Sequence, residues 1–265
     1  CAGGGGGGDI SPEALEECVR RNFGGSGKTE EIVDVFKQLV HGASHVHGPA
    51  PPTVEMLRKC LQRHTGENID GRYLLLQAEN PETALSTLYD RCGIDRRDVD
   101  VLSGSSFPGD GGFGVICGHL RKVRLTMGTD RTLVCLDLQS CLEALYDLLN
   151  QFFTPSLGKM WVDIGLGNER MQCPVGPLFR VIIIATAHDY ASFPIPLLNR
   201  LEKHTLTCAD ALEGEGLACV AALRDRLGQL VGPKLGQQRQ IALQEMIPGY
   251  CDDTIPSLVA VLFAH

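Results

Sequence analysis

The stretch Phe179–His204, FRVIIIATAHDYASFPIPLLNRLEKH, decides the fold of this chain. Its early part, Val181–Ala185, is an unbroken run of apolar, mostly β-branched residues, which predicts a buried strand. A loop follows, and Pro196–Lys203 then predicts a short helix that carries an arginine, before a short strand near Thr205–Thr207. A buried strand that leads into such a helix is typical of nucleotide-binding α/β domains.

The region before this stretch alternates between strands and helices. Short, bounded apolar runs predict three more buried strands, at Tyr73–Leu76, Val99–Leu102 and Thr132–Leu136. Helices are predicted from Asn80 to Cys92, over 113–122 and over Gln139–Phe153, and a hairpin is predicted from Trp161–Ile164 and Glu169–Cys173. Alternation of this kind indicates an α/β fold, with a parallel sheet and crossover helices on its faces.

Both ends of the chain differ from this α/β region. Residues 1–10 are a glycine tract and are predicted to be disordered. Helical spacing of apolar residues predicts a helical segment over 11–66, and the chain returns to helix after the α/β region. The predicted organisation is therefore 1–10 disordered, 11–66 helical, 67–208 α/β and 209–265 helical.

Composition narrows the class of protein. The 265 residues are 43% hydrophobic and 21% charged, with a net charge of −8, so a large core is possible and nucleic acid is disfavoured as a partner. No apolar run approaches the roughly 18 residues of a membrane span, and no signal peptide is apparent. The 11 cysteines contain no Cys-x-x-Cys pair, which indicates buried thiols in a reducing compartment and predicts a cytoplasmic location.

The two termini suggest a piece of a longer protein. The first residue is Cys1 rather than methionine, and the last residues, Ser257–His265, stop inside an apolar run without a helix cap. The function expected here is therefore that of one part within a larger chain.

A glycine-rich segment around Lys28 resembles a phosphate-binding loop only in part. The G-x-x-x-x-G-K-[ST] pattern requires a glycine where Asn22 stands, and the loop must follow a strand that aims its N–H groups at the phosphates. The residues before it are predicted to be helical. We therefore expect a link between two helices, while an independent P-loop NTPase that uses Lys28 stays open as an alternative.

The predicted first strand also lacks a phosphate loop. It is followed by Gln77–Thr83, which has no glycine or lysine and carries Glu79 and Glu82, whose charges repel a triphosphate. After the strand Thr132–Leu136, Asp137 stands where an active P-loop ATPase holds Mg²⁺, but Leu138 replaces the catalytic glutamate. Asp137 is thus a vestigial metal residue or, in the simpler interpretation, a cap for the following helix.

Several blocks occur together in an order that resembles the mysterin family, giant AAA+ proteins with a RING finger that act as E3 ubiquitin ligases. The blocks are Arg20–Gly25, Arg72–Leu76, Gly104–Pro108, Leu145–Gln151, Trp161–Gly167, Phe193–His204 and Gly249–Thr254. The resemblance covers about 18–260 and falls on the family's AAA+ motor region. It implies that 11–66 is lid-like and belongs to a preceding AAA+ module, that 67–208 is a degenerate AAA+ domain, and that 209–265 begins its lid.

The resemblance also implies the cofactors and partners. This chain is expected to bind none of the cofactors itself, while a neighbouring module binds ATP and Mg²⁺ and the ligase elements of the parent protein bind zinc. The expected partners are adjacent AAA+ modules of the same chain and, through the parent protein, ubiquitin and an E2 enzyme. The parent is expected to hydrolyse ATP and transfer ubiquitin, with this part catalytically silent.

Two arginines are the candidate site residues. In AAA+ rings an arginine before the fifth strand reaches the γ-phosphate in the neighbouring subunit, and Arg200 has this placement. The alternative is a structural arginine paired near Glu202 or Lys203, within a module that is purely a scaffold. Arg21 is a weaker candidate for a nucleotide sensor of the preceding module.

No metal site is predicted within the chain. His41, His45 and His47 lie close together in sequence, and Cys60 and His64 have helical spacing. A zinc site needs about four converging ligands, so solvated loop residues are the better interpretation.

Overall fold

The computed structural model of the protein describes residues 11–24, 28–41, 52–62, 71–105, 107, 111–166, 169–231 and 243–263. In chain order the elements are α1 (Pro12–Phe23), α2 (Thr29–His41), α3 (Thr53–Leu61), β1 (Leu74–Gln77), α4 (Pro81–Asp90), a turn of 3-10 helix (Arg96–Asp98), β2 (Val99–Ser103), α5 (Phe113–Met127), β3 (Thr132–Leu136), α6 (Gln139–Leu142), α7 (Tyr146–Leu149), β4 (Thr154–Ser156), β5 (Lys159–Leu166), β6 (Glu169–Val175), β7 (Arg180–Ala185), α8 (Ala187–Ser192), α9 (Ile195–Leu198), β8 (Glu202–Thr205), α10 (Glu215–Val231), α11 (Leu243–Met246) and α12 (Thr254–Phe263). The chain divides into two units, Cys1–Thr205 and Leu206–His265.

A five-stranded parallel sheet forms the centre of the first unit. Its strand order is β2-β3-β7-β1-β8, so β7 lies in the middle and β8 at one edge. Five residues of β7, Val181–Ala185, are buried, as expected for a central strand covered on both faces. The prediction of an α/β fold with a parallel sheet is confirmed, and the strand order agrees with an AAA-type domain.

One face of the sheet carries the main hydrophobic core. Side chains of β1, β3 and β7 pack there against α5, α6, α7 and the strands β5 and β6. Fully burying each such aliphatic side chain stabilises the fold by about 1.5–3 kcal/mol. Leu75, Leu133 and Val181 are each 1% exposed or less, so these three strands are fixed relative to one another by packing as well as by hydrogen bonds.

The segment between β3 and β7 differs from the prediction. The single helix expected over Gln139–Phe153 is two short helices, α6 and α7, and its end turns sharply where Gln151 has a φ of 54°. The predicted hairpin is present as β5 and β6, and the short strand β4 adds to it to make a three-stranded antiparallel sheet. Strand β4 was missed because its residues, Thr-Pro-Ser, are exposed and contain a proline.

The segment after β7 also differs. Residues expected to form a loop make the short helix α8, which Thr186 caps by accepting a hydrogen bond from the Asp189 N–H. The helix expected over Pro196–Lys203 ends at Leu198, and the last strand begins three residues earlier than predicted, at Glu202. The charged sequence Glu-Lys-His resembles a polar helix end, but in the structure it is a buried strand.

The second unit is helical, in keeping with the helices expected there. Its small core contains Leu212, Val220, Ile255 and Val259, contributed by α10, α12 and the segment before α10. None of the helices in the described ranges is both long and apolar enough to cross a membrane. The predicted boundaries at 66 and 208 stay predictions, and the glycine tract 1–10 lies outside the described residues.

Helices α1 and α3 pack against β8, the edge strand of the sheet. At the end of α1, Gly24 comes so close to β8 that a Cβ atom would lie 2.3 Å from the carbonyl oxygen of Lys203. A glycine is therefore required there by contact, since its backbone angles are ordinary. The open edge of β8 is thus covered by helix rather than left to pair with another strand.

We expect Gly24→Ala to lower the free energy of unfolding by about 1–3 kcal/mol, because overpacking forces a backbone shift. The measurement is urea denaturation followed by circular dichroism. Gly118→Ala is the matched control, since a Cβ at that helical position meets nothing within 4 Å and should stabilise the helix slightly. Equal stability of the two variants would contradict the close approach.

Candidate functional site

The loop after β1 stands where a P-loop protein holds phosphate. The side chain of Asn80 caps α4, and its Oδ1 accepts hydrogen bonds from the N–H groups of Glu82 and Thr83, each at 3.1 Å. Pro81 at the first helical position has no N–H to offer. The first-turn donors that would bind an anion are therefore occupied by the protein's own side chain.

A carboxylate bridges the ends of β1 and β7 beside this cap. The Glu79 carboxylate accepts a hydrogen bond of 3.1 Å from the N–H of Ala187, and the Ala78 N–H donates to the Ala185 carbonyl at 2.9 Å. A negative charge and a closed backbone ladder thus occupy the place of a phosphate cradle.

Asp137 follows β3, as predicted, but it does not cap the next helix. The N-cap position of α6 is occupied by Leu138, whose side chain forms no capping hydrogen bond. Asp137 is exposed, has a φ of 48°, and within the described chain its carboxylate forms no hydrogen bond or ion pair. The expectation of a helix cap is therefore wrong, because a residue in the left-handed region directs the chain away from helical geometry.

The space beside Asp137 is small. A cavity of about 10 Å³ lies between it and Asp189, with Leu138 and Phe193 in its lining. That volume is about the minimum for a single water molecule. Leu138, the residue after Asp137, is only 3% exposed and belongs to the core.

Gly104, in one of the blocks noted in the sequence, fixes the backbone at this end of the sheet. Its N–H donates to the Leu136 carbonyl at 2.8 Å, and a Cβ atom would lie 2.0 Å from the carbonyl oxygen of Asp137. The sequence analysis assigned no role to this glycine. Its position directly after a strand could have indicated one, since a close backbone contact there leaves no room for a side chain.

Arg200 lies in the turn between α9 and β8 rather than within a helix. Its Cζ atom is 3.4 Å from the centroid of the Tyr146 ring in α7, which is a close cation–π contact. Its Nη1 is buried and has no hydrogen-bond partner among the described residues. Among the described residues Arg200 forms no ion pair with Glu202, the partner expected for a structural arginine. It contacts the Tyr146 ring instead.

Arg21 is joined to the sheet by a buried ion pair. Its Nε lies 3.2 and 3.0 Å from the two carboxylate oxygens of Glu202, whose side chain is 3% exposed. Burial opposes the Arg21 charge, but Glu202 outweighs it, so the pKa of Arg21 lies above its ordinary value. The residue predicted as a nucleotide sensor therefore connects α1 to β8 in the described structure.

Two further groups complete this cluster. The Nε2 atom of His204 lies 3.0 Å from Glu202 Oε1, and the buried Cys60 thiol of α3 lies beside the same carboxylate. Burial, followed by the Glu202 charge, raises the pKa of Cys60, which keeps it a thiol. We refer to Arg21, Cys60, Glu202 and His204 as the Glu202 cluster; it has a structural character rather than that of a reactive site.

Neither Lys28 nor the histidines of the sequence analysis can be assigned to a binding site. Lys28 lies between helices α1 and α2, and no strand precedes it among the residues that the structure describes, so the strand-to-loop context of a P-loop is missing there. His45, His47 and His64 lie outside the described residues. Within the described ranges, no three His, Cys, Asp or Glu side chains are placed to hold a metal ion.

The five-stranded parallel sheet with its flanking helices is that of an AAA-type α/β domain, and comparison with known proteins agrees. The family model described as RNF213 AAA domain matches residues 64–212. Similar proteins are E3 ubiquitin-protein ligase rnf213-beta of Danio rerio, 34% identical over 73% of this chain, and E3 ubiquitin-protein ligase RNF213 of Homo sapiens and Mus musculus, 31% and 30% identical over 94%. The chain belongs to the RNF213 AAA domain family, which confirms the predicted resemblance.

The chain spans only a small part of these relatives. It covers 4% of the Danio rerio protein and 5% of each mammalian protein. By their names, all three are E3 ubiquitin-protein ligases.

We expect Arg21→Ala to destabilise the first unit by about 3 kcal/mol, because it leaves the buried Glu202 carboxylate without its guanidinium partner. Urea denaturation gives the free energy of unfolding. Arg97→Ala is the control, since Arg97 is exposed and its side chain forms no hydrogen bond with the rest of the described chain. A loss no greater than that of the control would show that the ion pair contributes little.

We expect Asn80→Ala to cost about 1 kcal/mol, the usual effect of removing a helix cap. Asn80→Asp should retain stability, since a carboxylate also accepts from the first-turn N–H groups and favours the positive end of the helix. Both values come from thermal or urea unfolding. If Asn80→Ala has wild-type stability, the cap does not fix this loop.

Proposed function

We propose that this chain is a non-hydrolysing AAA+ module of a larger E3 ubiquitin ligase, which packs on adjacent modules and supplies Arg200 to a neighbouring ATP site. The observation that carries the proposal is the self-capped loop after β1, where Asn80 and Glu79 use the groups that would otherwise bind phosphate. A module that cannot cradle a triphosphate contributes to ATP chemistry only through its surface.

The lost catalytic acid supports the same conclusion. Leu138 is buried where an active enzyme needs a glutamate to activate water, and the adjacent cavity holds about one water molecule. Without a general base, hydrolysis loses roughly 10²–10⁴-fold. The exposed Asp137 is then a vestige of a metal site, with no second acidic residue directly after it.

The Arg200 guanidinium does not use all of its hydrogen-bond donors among the described residues. Its Nη1 donates no hydrogen bond to the described residues, although it is buried. Leaving the Tyr146 ring costs about 0.5–2 kcal/mol, whereas an arginine finger accelerates phosphoryl transfer about 10³–10⁵-fold. Reaching a neighbour's γ-phosphate is therefore energetically accessible.

A purely structural role is the second candidate, and the Arg200–Tyr146 contact favours it. At 3.4 Å from the ring centroid, the guanidinium is well placed to fix the turn before β8 against α7. In this case Arg200 stabilises the fold and touches no nucleotide.

The remaining parts of the proposal concern the parent protein. ATP and Mg²⁺ belong to a neighbouring module and zinc to the ligase elements, with ubiquitin and an E2 enzyme as partners. The relatives' names as E3 ubiquitin-protein ligases support these partners. A cytoplasmic location is proposed because the ten described cysteines are all free thiols, as a reducing compartment requires.

We expect Arg200→Ala in the intact parent protein to lower kcat for ATP hydrolysis by about 10³-fold or more, because a finger stabilises charge only in the transition state. Arg200→Lys should have a kcat little higher than that of Arg200→Ala, since an ammonium group cannot form the paired hydrogen bonds of a guanidinium. Steady-state phosphate release measures kcat.

Tyr146→Ala separates the two candidates. It removes the cation–π contact but leaves the guanidinium, so a finger role predicts ATP turnover within a few-fold of wild type. A structural role predicts that Tyr146→Ala and Arg200→Ala destabilise the chain alike and leave kcat unchanged. An unchanged kcat in Arg200→Ala would remove the finger.

A further inference from the structure

Three arginines line one cavity near the start of the central strands. Arg21 comes from the end of α1, Arg72 directly precedes β1, and Arg180 is the first residue of β7. The cavity has a volume of about 110 Å³, well above the roughly 10–15 Å³ of such volume that a single water molecule needs. No aspartate or glutamate is among the described residues that line it.

Several donors face this cavity. Arg21 uses only its Nε on Glu202, and the exposed Arg72 has no hydrogen-bond or ion-pair partner in the described ranges. Arg180 donates from Nη1 to the Cys60 carbonyl at 3.4 Å. The Tyr73 side chain is 5% exposed, lines the cavity, and its hydroxyl forms no hydrogen bond with a described residue. The Nη groups of Arg21, the Arg72 guanidinium and the Tyr73 hydroxyl can therefore donate to a ligand with several acceptor atoms.

The electrostatics favour an anion. Three guanidinium groups share the cavity, and the nearby Glu202 carboxylate is already paired with Arg21. Burial, followed by the charge of Arg72, lowers the pKa of Lys203, which is consistent with a positive potential in this region. Such a concentration of positive charge contrasts with the net charge of −8 for the whole chain.

We propose that this cavity binds a phosphate-type oxyanion, held by the guanidinium groups of Arg72 and Arg180 with the Nη donors of Arg21. Guanidinium forks match the geometry of phosphate oxygens, and the cavity volume suits one tetrahedral group. The Tyr73 hydroxyl donates to one of its oxygens. This site goes beyond the proposed function, because Arg200, Asn80 and Glu79 do not line the cavity.

Two kinds of ligand carry such a phosphate group: the free anion, and a larger molecule with a terminal phosphate. Isothermal titration of the 265-residue chain with inorganic phosphate, at constant ionic strength in chloride, tests for the site. ADP as a second probe distinguishes the sources: binding of phosphate alone assigns the free anion, and comparable binding of ADP assigns a phosphate carried on a larger molecule. Acetate is the carboxylate control.

We expect phosphate to bind the wild-type chain, and Arg72→Gln to weaken this binding roughly 10-fold or more, because a charge-assisted hydrogen bond is lost. Arg72 is exposed and has no partner to lose among the described residues, so the variant should fold normally. Arg180→Gln should weaken binding in the same way, with its folding checked by thermal unfolding in the absence of phosphate. Arg97→Gln removes an equal charge elsewhere and should bind phosphate as the wild type does.

Three results would overturn the proposal. They are no measurable binding of phosphate, equal binding in wild type, Arg72→Gln and Arg180→Gln, or binding of acetate as tight as that of phosphate. None of them bears on Arg200, since kcat of the parent protein is measured separately.

Discussion

The buried carboxylate of Glu202 connects three separate parts of the first unit. It lies on the edge strand β8, accepts from Arg21 at the end of α1, and has the Cys60 thiol of α3 and His204 of its own strand beside it. Moving such a charge out of water is expensive, and good geometry with several partners offsets the cost. The position of the N-terminal helices on the sheet therefore depends on this one group.

The end of the sheet where an AAA-type enzyme binds nucleotide is closed by ordinary structural devices. A helix cap, a proline and a strand-to-strand carboxylate occupy the donors after β1, and Leu138 fills the core after β3. Together these contacts close this end of the sheet with internal hydrogen bonds and packing. The central strands contribute buried side chains to the main hydrophobic core of the first unit.

Much of the fold follows from the sequence, and several of the failures depend on contacts between residues that are far apart in the chain. Val181–Ala185 and Thr132–Leu136 were predictable because both are short apolar runs whose burial needs no special partner. Strand β8 begins earlier than expected because Glu202 is buried only by virtue of Arg21, which is 181 residues away. The site followed the same division: the apolar Leu138 after β3 was readable from the sequence, whereas the ring beneath Arg200 and the missing cap at Asp137 depend on tertiary contacts and a backbone angle.

The close approach of Gly24 to β8 has a consequence for how such modules are inherited. Helix α1 precedes the sheet by some fifty residues, yet its last turn touches the edge strand without room for a methyl group. A gene rearrangement that moved the sheet without this helix would uncover the open edge of β8 and remove the guanidinium that pairs with Glu202. The sheet and the helices that come before it therefore behave as one structural unit.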